Sequence, residues 1–73
     1  MSAKEMFGEL GYEYSILLSD QQRIYYEHKN KNNQPSNFIM FDLDYQVISN
    51  DRDITLQELQ AINKQIEELG WNK

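Results

Sequence analysis

The chain of 73 residues contains one histidine, His28. Its side chain is suited to acid–base chemistry at neutral pH. A general base needs a positioned partner and a cleft. His28 stands near the end of a predicted strand beside Lys29 and a polar stretch, and the chain has no cysteine and no serine flanked by glycines. We therefore predict no catalytic residue and no enzyme activity.

Four aspartates form two Asp-x-Asp pairs, Asp42 with Asp44 and Asp51 with Asp53. A calcium loop of the EF-hand type needs a glycine near its middle and a late glutamate. The stretch "DLDYQVISNDRD" contains neither. We interpret Asp44 as a turn residue and the later pair as acids preceding a helix N-terminus, and we predict no metal and no cofactor.

The balance of charges argues against nucleic acid as a partner. Lys29 and Lys31 lie beside Tyr25 and Tyr26, and aromatic rings near basic residues can stack single-stranded bases. However, twelve acidic residues against seven basic ones leave a net charge of −5. Nucleic-acid binding requires a basic footprint, which this composition does not supply.

The acidic residues also suggest an alternative function. Glu9, Glu13, Glu67 and Glu68, together with the aspartates, would form a surface that resembles the phosphates of DNA. A protein of that kind would act as an acidic modulator or inhibitor of a nucleic-acid-processing enzyme. We keep this interpretation as the alternative to a protein-binding module.

Size and composition favour one small folded domain over residues 1–73. Hydrophobic residues make up 40% of the chain and aromatic residues 12%, which is typical of a folded domain. No disulfide can form without cysteine, and neither a signal peptide nor a membrane-spanning run of about 20 apolar residues is visible. We therefore expect a cytoplasmic protein without membrane contact.

Both ends of the chain carry strong helix signals. Ser2 with Glu5, and Thr55 with Glu58, have the spacing of a capping box. The phrases "ELGY" (9–12) and "ELGW" (68–71) each place a glycine and then an aromatic residue after the last apolar turn. Such a glycine ends a helix, and the aromatic residue folds back onto the final turn. A narrow apolar seam is predicted along the second helix, at Leu56, Leu59, Ile62, Ile66 and Leu69.

The segment between the helices is rich in residues that favour strands. The stretches 12–19, 23–29, 37–43 and 45–50 contain many Ile, Val, Tyr and Phe residues, and the connections between them are short. Short connections require antiparallel neighbours. The sequence therefore predicts an α+β fold of order α-β-β-β-β-α, in which a four-stranded antiparallel meander packs with two terminal helices.

Pairing the apolar residues predicts two apolar sheet faces. In the first hairpin Leu18 is expected opposite Ile24, and in the last hairpin Met40 opposite Ile48. Either the two helices then cover opposite faces, or one face contacts another chain. The candidate interaction face consists of Leu17, Tyr25, Phe38, Met40 and Ile48.

The segments "EMFGELGY" (5–12) and "ITLQELQAINKQIEELGW" (54–71) carry a resemblance to known proteins. They resemble a group of small uncharacterised proteins encoded in prophages and other mobile elements of low-GC Gram-positive bacteria. The shared positions are cap and core residues over about a third of the chain, so the resemblance implies a fold and a genomic setting, not an activity. We predict a non-enzymatic module that binds a protein partner or forms a homodimer through the candidate face.

Overall fold

The computed structural model describes residues 1–71 and has the predicted α+β architecture. The strands form one antiparallel sheet in the order β1-β2-β3-β4, so each strand pairs with its neighbour in sequence. No helix within residues 1–71 has both the length and the apolar character needed to cross a membrane. The elements in chain order are α1 (Ala3–Glu9), β1 (Tyr12–Tyr14), β2 (Arg23–Lys29), β3 (Pro35–Asp42), β4 (Val47–Asn50) and α2 (Leu56–Leu69).

The two predicted capping boxes are present. At the start of α1 the Ser2 hydroxyl accepts a hydrogen bond from the Glu5 backbone N–H at 3.1 Å, and the Glu5 carboxylate accepts one from the Ser2 N–H at 2.9 Å. Thr55 and Glu58 make the same pair of bonds at the start of α2. Each box satisfies backbone donors that have no partner within the helix.

The two glycine stops are also confirmed, with one difference between them. Gly70 has φ 74° and, with Trp71, donates to the carbonyls of the last turn of α2. Gly11 has φ 92°, and a Cβ atom built there would lie 2.7 Å from Nε2 of His28. Gly11 is therefore required both by backbone conformation and by the close approach of a side chain.

Both helices pack on the same face of the sheet. Phe7 of α1 stacks on Tyr26 of β2 with ring centroids 4.1 Å apart, and Ala61 and Ile62 of α2 belong to the same buried cluster. The helices also bond to each other, since the backbone N–H of Ala3 donates to the Glu68 carboxylate at 2.8 Å. The positive N-terminal end of α1 thus stabilises the negative charge of Glu68, which is unfavourable at the C-terminal end of α2. We call this side the helix-covered face.

The first predicted strand, 12–19, is wrong in its length and register. Strand β1 ends at Tyr14, which pairs with Tyr26, and residues 16–18 form a turn instead of pairing with β2. The physical cause is the pair of serines that flank this turn. The Ser15 N–H donates to the Tyr25 carbonyl at 2.8 Å, and Ser19 Oγ accepts from the Tyr25 N–H at 2.9 Å. The backbone N–H and C=O of Tyr25 therefore bond to the serines and not to a longer β1.

The register of the last hairpin differs from the prediction by one residue. Ile48 pairs with Phe41, and Met40 pairs with Ser49, so Ile48 lies on the helix-covered face. The connection has four residues, 43–46, and its last residue, Gln46, takes φ 56°. A turn centred on Asp44 would have an odd number of residues, and one extra residue moves every following side chain to the opposite face.

The apolar seam of α2 is buried only along its second half. Ile62 is buried, and Ile66 and Leu69 pack against the core. Leu56 and Leu59 in the first turn and a half are 66% and 45% exposed. The predicted apolar seam therefore belongs to the hydrophobic core only in the second half of α2.

Candidate interaction surface

The sheet side opposite the helices carries an apolar cluster bordered by charged residues. The observed registers place Tyr25 beside Met40, and Glu27 beside Phe38, on adjacent positions of β2 and β3. Asp42 of β3 and Val47 of β4 continue the same side. No helix or strand of residues 1–71 packs over it, because the buried contacts of both helices belong to the other side. We call it the open face, and its apolar members are Tyr25, Phe38, Met40 and Val47.

The apolar members of the open face contact one another. The rings of Tyr25 and Phe38 stack with centroids 5.4 Å apart and an interplanar angle of 11°. Tyr25, Phe38 and Met40 are half-buried, and Val47 is 52% exposed. Aromatic side chains are enriched at protein interfaces, so this half-buried pair marks the open face as the candidate interaction surface.

A hydrogen-bonded turn projects beside this cluster. Within the turn the Ser19 N–H donates to the Ser15 carbonyl at 3.0 Å and the Leu18 N–H donates to the Ser15 hydroxyl at 3.1 Å. These bonds fix the backbone while Ile16 and Leu17 point outward, 83% and 96% exposed. We call residues 15–19 the projecting turn.

The projecting turn and the open face enclose two adjoining concavities. The larger, of about 410 Å³, is lined by the turn together with Glu13, Glu27 and Lys29. The smaller, of about 180 Å³, is lined by Tyr25, Phe38 and Asp51 among others. Leu18 and Glu27 line both, so the two form one groove across the surface.

The electrostatic character of this groove is negative. Glu13 and Glu27 are direct cross-strand partners, an arrangement that is unfavourable for two like charges. Lys29 Nζ lies 3.7 Å from the Glu27 carboxylate. Burial raises the pKa of the Tyr25 hydroxyl, and the negative charges of Glu27 and Asp51 raise it further. The Glu27 and Asp51 carboxylates therefore both act on the hydroxyl of Tyr25, which belongs to the stacked Tyr25–Phe38 pair.

The structure brings together four of the five residues predicted for the interaction face. Tyr25, Phe38 and Met40 lie on the open face, and Leu17 lies at the tip of the projecting turn beside it. Ile48 lies on the helix-covered face for the reason given above. Sequence reasoning missed Val47, Leu18 and Glu27, and the serine at each end of "SILLS" was the available signal for a turn at Leu18.

His28 has a structural role in this fold. Its Nδ1 lies 2.7 Å from the Ser36 hydroxyl, and that hydroxyl donates to the His28 carbonyl at 3.1 Å. The Ser36 hydroxyl therefore links the ring of His28 to the backbone of the same residue. This pair bridges the irregularity in pairing between His28 and Lys29.

The first of the two aspartate pairs also has a local role. The Asp42 carboxylate accepts hydrogen bonds from the backbone N–H groups of Asp44 and Tyr45, both at 3.0 Å, and thereby holds the turn between β3 and β4. Within residues 1–71 no group of three or more histidine or acidic side chains is close enough to hold a metal ion.

The most strongly perturbed ionisable groups lie on the helix-covered face. The Tyr12 hydroxyl donates to the Glu58 carboxylate and accepts from the Asn37 amide at 2.6 Å. Burial and the neighbouring Glu58 charge raise the pKa of Tyr12 well above its usual range. Burial opposes ionisation of Glu58, but hydrogen bonds from Thr55 and Tyr12 outweigh it and lower the pKa of Glu58. All four groups use their polar atoms within the fold, so this cluster stabilises the structure.

Comparisons with known proteins add no further constraint on this surface. No family model, no curated protein and no solved structure matches the chain.

Proposed function

We propose that this protein is a non-enzymatic module that binds another polypeptide through the open face and the projecting turn. The observation that carries the proposal is the stacked Tyr25–Phe38 pair, half-buried on a sheet side that no element of residues 1–71 covers. Leu17 and Leu18 extend this apolar surface beyond the sheet. Apolar groups held rigidly in solvent gain free energy when a partner removes them from water.

The alternative, an acidic imitation of nucleic-acid phosphates, has less support. Such a surface needs many free carboxylates side by side. Instead, six acidic side chains bond to backbone groups, a hydroxyl or a cation of the same chain. They are Glu5, Asp20, Asp42, Glu58, Glu67 and Glu68.

The proposal is tested by photo-crosslinking in the cells that express the protein. A photoreactive phenylalanine analogue replaces Leu17 in one form and Leu56 in the matched control. Both side chains are exposed, at 96% and 66%, but Leu56 lies on α2 at the start of the other layer. We expect a discrete crosslinked product from position 17 that is absent from position 56.

The mass of the product identifies the type of partner. A product of twice the chain mass indicates a second copy, and any other discrete mass indicates a different polypeptide. The same products from both positions, or none from position 17, would contradict the proposal.

A further inference from the structure

The groove of the open face combines apolar walls with carboxylates at its border. Glu13 and Glu27 border the larger concavity, and Asp51 borders the smaller one. Lys29 is the one basic residue among those that line either concavity. The groove thus has an excess of two negative charges next to the Tyr25–Phe38 pair.

The geometry of these carboxylates leaves them able to accept further donors. Glu13 lies opposite Glu27, whereas Lys29 approaches only Glu27, at a distance of 3.7 Å that is long for a hydrogen bond. A cation placed between Glu13 and Glu27 would relieve the repulsion between them. The face of the Tyr25 ring offers a second favourable position for a cation, beside Asp51.

The same charges disfavour a second copy of this chain as the occupant. Two copies that met face to face would bring the carboxylates of both grooves together, and each chain has a net charge of −5. The sheet surface is also small, because β1 and β4 contribute only three and four residues to it.

On this basis we infer that the partner segment is a basic, apolar stretch of polypeptide, in which a lysine or arginine stands next to a large apolar residue. The apolar side chain contacts Tyr25, Phe38 and Leu18, and the cation lies between Glu13 and Glu27. This inference rests on the proposed function and adds the chemistry of the partner. A narrow segment fits the groove area better than a second folded domain does.

The test uses a library of random octapeptides displayed on phage, selected against the whole protein in low salt. Two variants separate charge from apolar contact. Glu13→Gln with Glu27→Gln removes the carboxylates without changing the apolar side chains. Phe38→Thr with Met40→Thr removes apolar surface without changing charge, and threonine favours strands.

A control variant has the same charge change elsewhere. Glu9→Gln with Glu67→Gln alters two exposed helical carboxylates that do not line the groove. Urea unfolding of each variant verifies that it is folded. Selected peptides are then measured by fluorescence anisotropy, and sedimentation equilibrium measures the mass of the free protein.

The inference predicts enrichment of peptides with Lys or Arg next to a large apolar residue. Their affinity should fall at least fivefold in the Glu13/Glu27 variant and be lost in the Phe38/Met40 variant, whereas the control variant should bind within twofold of the original protein. Raising the salt concentration should weaken binding, because exposed charges are screened over about 8 Å at 0.15 M.

Other outcomes distinguish this inference from the proposed function. Apolar peptides without a basic preference, lost only in the Phe38/Met40 variant, would overturn the inference and leave the proposed function intact. A doubled sedimentation mass that the Phe38/Met40 variant abolishes would do the same. Peptides that bind the Phe38/Met40 variant as tightly as the original protein, or no enriched peptide and a monomeric mass, would overturn both.

Discussion

The helix-covered face of the sheet carries more large apolar side chains than the open face, and the two faces also differ in what surrounds those side chains. On the helix-covered face Ile39 and Phe41 are fully buried, and the polar atoms of Tyr26 and Gln65 bond to each other at 2.7 Å. Among the residues described, no buried side-chain polar atom lacks a hydrogen-bond partner. On the open face, Tyr25, Phe38 and Met40 are only half-buried, and three carboxylates and Lys29 border them. The first face therefore provides stability, and the second is the one that we propose to bind a partner.

The largest effect is expected from matched truncations on the two faces. Phe41→Ala removes a fully buried ring that contacts Phe7 and Trp71, and we expect a loss of about 3–5 kcal/mol in the free energy of unfolding. Phe38→Ala removes a half-buried ring and should cost about 1 kcal/mol. Urea unfolding monitored by circular dichroism measures both. Equal losses would mean that the open face also belongs to the core.

The next largest loss of stability is expected when the two glycines that end the helices are replaced by alanine. Gly11→Ala forces a side chain into a left-handed conformation and against His28, so we expect a loss of about 2–3 kcal/mol. Gly70→Ala carries the conformational penalty of a left-handed residue, about 1 kcal/mol. In a His28→Ala background the cost of Gly11→Ala should fall to this conformational penalty alone, about 1 kcal/mol. An unchanged cost there would show that the approach of His28 is not the cause.

Alkaline pH should weaken the helix-covered face selectively. Burial raises the pKa of Tyr26 to about 12, with smaller contributions from Glu68 and Tyr14, whereas an unfolded tyrosine ionises near 10. The unfolded state loses its proton first, so this stabilisation is complete below pH 10 and is lost as the pH rises through 12. The expected loss is on the order of 2 kcal/mol, seen as a falling urea midpoint.

Two substitutions assign this pH dependence. Tyr26→Phe should reduce the decline between pH 10 and 12 by about half, because Tyr12, whose pKa is also raised, contributes to it as well. Tyr12→Phe should remove most of the remainder. Tyr26→Phe also costs about 1–3 kcal/mol at neutral pH because Gln65 loses its partner. A decline of undiminished size in Tyr26→Phe would assign the effect to other groups.

The smallest effect on stability is expected at the projecting turn. Leu17→Ser should change the free energy of unfolding by less than about 0.5 kcal/mol, because Leu17 is almost fully exposed. The matched change Ile62→Ser, on the buried side of α2, should cost several kcal/mol. A large loss in Leu17→Ser would show that the turn supports the fold instead of a partner.

Local sequence signals predicted the ends of the helices and the order of the elements, because caps and glycine stops depend on residues within one turn of each other. Thr55 with Glu58 and Gly70 are examples. The open face was predicted only in part. The positions of Leu17 and Ile48 depend on loop length, and the loops are set by the serine bonds to Tyr25 and by the left-handed Gln46. Glutamine rarely takes that conformation, so composition gave no indication of it.

If the proposed function holds, the open face serves binding and is dispensable for folding. The direct test is the yield of the position-17 crosslink in the Phe38→Thr, Met40→Thr variant, with its unfolding free energy measured alongside. We predict a folded protein within about 1–2 kcal/mol of the original and a crosslink reduced at least tenfold. A folded variant that crosslinks as efficiently as the original protein would contradict the claim, and so would a variant that no longer folds.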